Sequence, residues 1–241
     1  MGITLAVSIP ACIFLGTFIA VRDRAPNLLL APLLHSSLIF LSVSISSHPR
    51  LNHRLLFAKT PQGSFPWWSR LLFHPYLLSA QAYVALRRLA TLEPLYTEIC
   101  DGIFVGGWPL WANDMPPGNP AVIDCTCELP RRTLTAHLPY LCIPTWDTRA
   151  PSPTQIEVAV RWAVEKRAHR YPVYIHCAFG HGRSVTVVCA LLMALGVVET
   201  WRDAENLVKR HRPCIRLNKP QKESLQEWSK FGAGQKKSQA K

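Results

Sequence analysis

The chain has 241 residues, 49% of them hydrophobic, and a formal net charge of +12. That length accommodates one domain of ordinary size with something added. The charge calls for anionic partners, and among these nucleic acid would require a basic stripe or a recognisable binding module, neither of which is present.

The apolar content is concentrated at the N-terminus. Ile3 to Val21 carries no charge and is long enough to cross the hydrocarbon layer as a helix. Arg22, Asp23, Arg24 and Pro26 interrupt it, and Asn27 to Ser47 forms a second uncharged run. The pattern predicts a transmembrane hairpin over residues 1–48, with Pro10 and Pro32 tolerated inside it. A signal peptide is the rival reading of the first run. It lacks a basic stretch before the apolar core and a small-x-small exit before Arg22. Arg50, Arg54, Lys59 and Arg70 outweigh the two arginines of the connection, so the positive-inside tendency places both chain ends on the cytoplasmic side or its organellar equivalent. Eight cysteines without the spacing of a small stapled scaffold agree with a reducing compartment and free, mostly buried thiols. For Cys125 and Cys127, too, core packing is the simpler reading than a strained bridge.

Residues 49–92 read as a membrane-associated linker. Trp67 and Trp68 stand beside Arg70, and the apolar stretch from Leu71 to Leu86 holds Pro75 and closes on Arg87 and Arg88. Tryptophan next to arginine suits the headgroup layer, so an interfacial or re-entrant helix is expected here. A third span and a helix packed on the following domain are the alternatives.

Residues 93–232 alternate strand-like and helix-like segments. Ile99 to Val105 reads as a strand leading into Gly106-Gly107, and Ala121 to Cys125 and Leu138 to Ile143 as short buried strands. Pro153 to Arg170 has helical spacing, and Pro172 to His176 is again a buried strand. Helices around Gly196 and from Gln221 to Phe231 complete the domain. This order predicts an α/β fold with a mostly parallel central sheet and helices on both faces. Residues 233–241, rich in Lys, Gln and Ser, read as a disordered tail.

The chemistry concentrates in His176-Cys177-Ala178-Phe179-Gly180-His181-Gly182-Arg183-Ser184. A turn from a strand into a helix aims backbone N–H groups at one point beside the positive helix end, which suits a phosphate. Cys177 is the expected nucleophile, its thiolate favoured by the helix N-terminus and by Arg183. Gly180 and Gly182 free the turn sterically. Arg183 offers a planar, bidentate clamp on two phosphoryl oxygens, and Ser184 a hydrogen bond to the departing sulfur. Asp147 follows a strand end about thirty residues earlier. In a parallel sheet it emerges on the same side as Cys177, so it is the expected general acid and base; Asp124, at the end of an apolar strand, is second choice.

The segment HCAFGHGRS resembles the active-site loop of the dual-specificity-like branch of the cysteine-dependent protein tyrosine phosphatase superfamily, and the resemblance extends over about residues 96–232. It implies a phosphatase-like fold and phosphomonoester hydrolysis through a phosphocysteine, with Asp147 in the matching acid loop. It implies that His176 orients the loop and helps to hold the thiolate, and that Gln221 places water. Ala178, Phe179, Gly180, His181 and Gly182 are then the substrate-binding loop, with His181 at the pocket mouth. Some lipid-directed relatives carry lysines inside this loop, and this chain has none. Phosphorylated protein is therefore the first expected substrate and a phospholipid headgroup, phosphatidylglycerophosphate or a phosphoinositide, the alternative; the lipid bilayer is a partner in either case. A rhodanese-like sulfurtransferase and a catalytically silent phosphate-binding module are the readings from other classes. No cofactor is expected, and the histidines show no metal-ligand spacing.

Overall fold

A computed structural model describes the backbone of residues 2–239 and the side chains of residues 2–230. Two helices, α1 (Ile3–Val21) and α2 (Asn27–Ser46), form an antiparallel pair joined by the charged turn around Asp23. At about 1.5 Å per residue α1 is about 28 Å long, close to the ~30 Å of a bilayer's hydrocarbon core. Its 18-residue apolar window is only 17% buried, and that of α2 only 28%. A core helix of a water-soluble domain would bury far more. Leu5, Ile9, Ile13, Leu28, Leu29 and Leu41 instead face outward, as in a transmembrane hairpin.

The linker continues as α3 (Trp67–Leu72) and α4 (His74–Ala90). Its aromatic residues build a cluster with the base of the hairpin. The Phe57 ring, fully buried, lies 5.1 Å from Phe73, 5.4 Å from Tyr76 and 5.3 Å from Trp146. Ile3, Val7, Phe40 and Val43 join the same cluster. α4 thus packs on the C-terminal half through Tyr76, Leu77 and Val84 while leaving Leu78, Leu86 and Leu89 exposed.

The C-terminal half is a five-stranded sheet in the order β1-β2-β5-β3-β4. Its strands are β1 (Tyr96–Cys100), β2 (Ile103–Gly106), β3 (Ala121–Asp124), β4 (Tyr140–Cys142) and β5 (Val173–His176). β2, β5, β3 and β4 run parallel, and β1 pairs antiparallel with β2. The segment expected as one strand from Ile99 is a hairpin, because Gly102 turns the chain at φ 65°. Strand alternation sends Ile103, Val105, Ile123, Val173 and Ile175 to one face, where α5 (Pro153–Ala168), α6 (Arg183–Ala194), α7 (Trp201–His211) and α8 (Lys219–Gln239) enclose them. The other face carries Asp124, Tyr174 and His176. There the linker closes over the sheet, with Lys59 Nζ 2.7 Å from Asp124 Oδ2 and both side chains out of solvent. The backbone of α8 runs through the segment expected as a tail as far as Gln239; residues 240 and 241 lie outside the described residues. All eight cysteines are free thiols.

Candidate active site

β5 delivers Cys177 to the carboxyl edge of the sheet, and α6 begins at Arg183. The intervening backbone is turned so that its carbonyls bond outward. The Ala178 carbonyl accepts from Trp108 N (3.1 Å) and that of His181 from Arg216 N (2.9 Å). Arg212, fully buried, donates from Nη2 to the Phe179 carbonyl (3.0 Å) and from Nε to the Gly180 carbonyl (3.3 Å). With four successive carbonyls held from outside, the N–H groups of these peptides are left to the interior of the loop. Gly180 is required: it sits at φ 75°, and a Cβ there would come within 2.6 Å of the Gly106 backbone.

The Cys177 sulfur accepts from Gly180 N and from Ser184 Oγ, both at 3.3 Å. Burial disfavours the thiolate. The Arg183 charge, the Ser184 hydroxyl and the amides of Ser184 and Phe179 outweigh burial and hold the thiol below its ordinary value. His176 packs on Tyr174, ring centroids 5.5 Å apart, with Nδ1 3.3 Å from the Cys177 carbonyl; neither bond to the sulfur comes from it. Burial lowers its pKa against the opposing pull of Asp124, which favours the neutral ring.

Arg183 is 1% exposed. Its Nη1 donates to Glu128 Oε2 (3.0 Å) and to the Thr145 carbonyl (2.8 Å). Its Nη2 lies 2.9 Å from Glu128 Oε1 and 3.2 Å from Asp147 Oδ1, without hydrogen-bond alignment to either. Nε also lacks a partner. These two donors are the ones a phosphoryl group would take. Despite burial, Glu128, Asp147 and the cysteine hold the guanidinium firmly charged.

Asp147 is half-exposed at the lip of a cavity of about 160 Å³ that Cys177, Gly182, Arg183 and Gln221 also line. The sequence-predicted acid, nucleophile and clamp therefore share one pocket. Asp124 does not join them. Its Oδ2 accepts from Lys59 and Tyr140, and its Oδ1 from the amide and hydroxyl of Thr126, which commits both oxygens to structure. Gln221 packs against Gly182 and bonds the Arg149 carbonyl (3.1 Å) and Asn218 N (3.0 Å). His181 lies at the pocket mouth with Nε2 2.5 Å from Glu93 Oε2. Donor atoms of Glu93, His181 and Cys214 fall within 4.8 Å of one another, a grouping of metal-ligand type that spacing along the chain conceals.

Glu128 and Arg212 escaped the sequence reading. A lone glutamate after an apolar strand and an arginine in a terminal loop carry no local signature, and only the fold brings them to the loop. Arg87, from α4, was likewise unforeseen; its guanidinium stacks 4.3 Å from the Phe179 ring centre and, with Arg216, adds positive charge to the mouth.

Comparison with known proteins agrees with this geometry. Residues 119–231 match the family model of the dual specificity phosphatase catalytic domain. Dual specificity protein phosphatase 22 of Mus musculus is 32% identical over 100 residues, 41% of this chain; the chain spans about half, 54%, of that protein's length. Phosphatidylglycerophosphate phosphatase PTPMT2 of Arabidopsis thaliana is 29% identical over 175 residues, covering 67% of this chain and 73% of the relative. The crystal structure of PTPMT1 in complex with PI(5)P superposes with a TM-score of 0.52 at 23% identity, over 58% of this chain and 98% of that one. The likeness in domain and structure supports catalytic activity of the cysteine-phosphatase type, and the chain carries the cysteine-dependent, dual-specificity-like phosphatase fold behind two apolar N-terminal helices.

Proposed function

We propose that the chain is a membrane-anchored phosphatase acting through Cys177 on a phospholipid monoester. The observation that carries the reaction class is the convergence of the Cys177 sulfur, Arg183 and Asp147 on one pocket whose loop carbonyls from Ala178 to His181 bond outward. In the first step the thiolate forms an S–P bond as the ester P–O bond breaks. Loop N–H groups and Arg183 meet the charge on the equatorial oxygens, and Asp147 transfers its proton to the leaving oxygen. In the second step Asp147 takes a proton from water as the new O–P bond forms and the S–P bond breaks, with the Ser184 hydroxyl hydrogen-bonded to the departing sulfur. Phosphate and an alcohol are released.

Phosphoprotein was the first expectation because the loop interior holds no lysine. Arg87 and Arg216 supply charge from outside the loop, which removes the ground for that preference. The hairpin favours a substrate that resides in the bilayer, and the relative matched over the longer stretch is named for a lipid monoester. The catalytic half then faces the cytoplasm or an equivalent reducing compartment, in keeping with its free thiols. The phosphoprotein reading is favoured by the names of the mouse and human relatives, each a dual specificity protein phosphatase 22. The test is hydrolysis of phosphatidylglycerophosphate and phosphoinositide vesicles beside phosphotyrosine and phosphothreonine peptides, with Cys177→Ser as the blank. Peptide turnover well above lipid turnover would overturn the substrate assignment, and p-nitrophenyl phosphate turnover that survives Cys177→Ser would overturn the mechanism.

A further inference from the structure

Beside the phosphate pocket lies a larger cavity of about 500 Å³. Asp147, Thr148, Ala178 and Phe179 line both, so the two spaces adjoin at the lip where the acid sits. Away from that lip the larger cavity has no charged wall apart from Glu128. Ile3, Val7 and Pro10 of α1 and Phe40 of α2 form one side, and Tyr83 and Val84 of α4 the other. Ala6, Ser79 and Ala80 are the small residues between them, and their size keeps the space open.

The direction of this cavity is informative. Ile3 to Pro10 spans about 10 Å of α1 at ~1.5 Å per residue, starting from the helix end fixed to the acid loop by the bond from Ile3 N to Thr148 Oγ1 (3.1 Å). The cavity therefore follows the hairpin from the reacting atoms toward the segment that would enter the bilayer. A free inositol phosphate has nothing to place there and a peptide only single side chains, whereas a lipid has a continuous acyl chain attached to its phosphate-bearing headgroup. We propose that this cavity is an acyl-chain subsite, in which one chain of the lipid phosphomonoester lies along α1 between the hairpin and α4 while its phosphate occupies the Cys177 loop. The inference rests on the lipid reading above and adds to it a chain-binding role for the hairpin. The hairpin then selects substrate by its tail in addition to tethering the enzyme.

The test measures affinity, so that it is independent of turnover. Non-hydrolysable n-butyl, n-hexyl and n-octyl phosphonates, below their critical micelle concentrations, are titrated calorimetrically into the full chain in bilayer nanodiscs, with empty nanodiscs as the partition blank. Burial of a methylene is worth about 0.8 kcal/mol, or about fourfold in Kd. Four added methylenes should then tighten Kd by on the order of 10²-fold. Val7→Trp and Ala80→Trp, which fill the cavity from opposite sides, should each cut the octyl-to-butyl ratio at least tenfold. Ile13→Trp, on the outward face of α1, should keep it. Reading the ratio within one protein cancels any change common to all ligands, and the second filling variant serves if the first does not fold. A ratio near one in the wild type, or a ratio that both filling variants retain, overturns the subsite. A preparation that fails to hydrolyse p-nitrophenyl phosphate overturns the phosphatase reading instead, and the phosphonate series still decides the cavity.

Discussion

Glu128 accepts from Nη1 of a guanidinium that is itself out of water and lies 2.9 Å from its Nη2, so Glu128→Ala tests how the clamp is kept ready. Removing one partner of a buried ion pair costs about 3–5 kcal/mol, because the other charge is left uncompensated. Here Asp147 lies 3.2 Å from Arg183 Nη2 and the Cys177 thiolate shares the pocket, so part of the compensation survives. A loss of about 2–3 kcal/mol follows, which for a chain of this size lowers Tm by roughly 4–12 °C. Glu128→Gln, which keeps acceptor atoms but not the charge, should fall between. An oxyanion in the loop would replace the missing carboxylate. Saturating tungstate, followed by thermal unfolding of the full chain, should therefore raise Tm more in Glu128→Ala than in the wild type. Turnover should drop about 10²-fold, since a clamp free to swing no longer meets the transition state in place. If Glu128→Ala unfolds at the wild-type temperature with an unchanged tungstate shift, the carboxylate does not organise Arg183.

Asp147→Ala should slow hydrolysis of an alkyl phosphate by about 10²–10³-fold and that of p-nitrophenyl phosphate far less, because an activated leaving group needs no proton; equal slowing would refute the acid role. Ser184→Ala removes a hydrogen bond that favours the thiolate, so the pH midpoint for alkylation of Cys177 by iodoacetamide should move up toward the ordinary thiol range, and an unmoved midpoint would refute the contact. Lys59→Met strands the buried Asp124 carboxylate, at about 3–5 kcal/mol or roughly 6–20 °C in Tm at pH 7. Burial alone would raise the pKa of Asp124; the charge of Lys59, followed by hydrogen bonds from Lys59 and Tyr140, drives it well below the usual carboxylate range. That pair's contribution is present above the ordinary aspartate value and is lost as pH falls through the depressed one, so the gap between wild type and variant should close in acid; a gap that widens there would refute the pairing.

The parts that sequence alone could place are those in which local chemistry and local structure coincide. The loop from Cys177 to Ser184 combines a nucleophile, two glycines and a clamp between an apolar strand and an apolar helix, and its interpretation needed no distant residue. Asp147 was reachable because a parallel sheet brings successive strand ends to one edge. The hairpin was legible because twenty apolar residues have few alternatives. What escaped depends on contacts between segments far apart in the chain. Glu128 meets Arg183 across 55 residues, and Arg212 reaches the Phe179 carbonyl across 33. The turn at Gly102 was missed because the apolar residues on either side, Ile99-Cys100 and Ile103 to Val105, were joined into one strand across Asp101-Gly102, itself a hairpin signal. Residues 49–92 read as a membrane-surface linker because Trp67 and Trp68 dominate the pattern, whereas Phe57, Lys59 and Tyr76 bind that segment to the catalytic half.

This attachment changes what a tether means here. An anchor on a flexible connection would only raise the local concentration of substrate. The hairpin instead grips the acid loop at Thr148 and Arg149, and the linker holds it at Trp146. The Trp146 indole donates to the His53 carbonyl at 3.3 Å, Thr148 accepts from Ile3 N, and Arg149 reaches both helices. Its Nη2 and Nε donate to the Ser47 carbonyl at 2.8 and 3.0 Å, at the negative end of α2, and Nη2 also meets Thr4 Oγ1 at 3.0 Å. Asp147 lies between these anchors. Its reach over the Cys177 loop is therefore set by where α1 and α2 stand, and any tilt of the pair is transmitted to it through Thr148 and Arg149. The same helices border the apolar cavity. On the proposed lipid reading, acid position and substrate tail thus meet at one end of α1, and the hairpin becomes a structural part of the site.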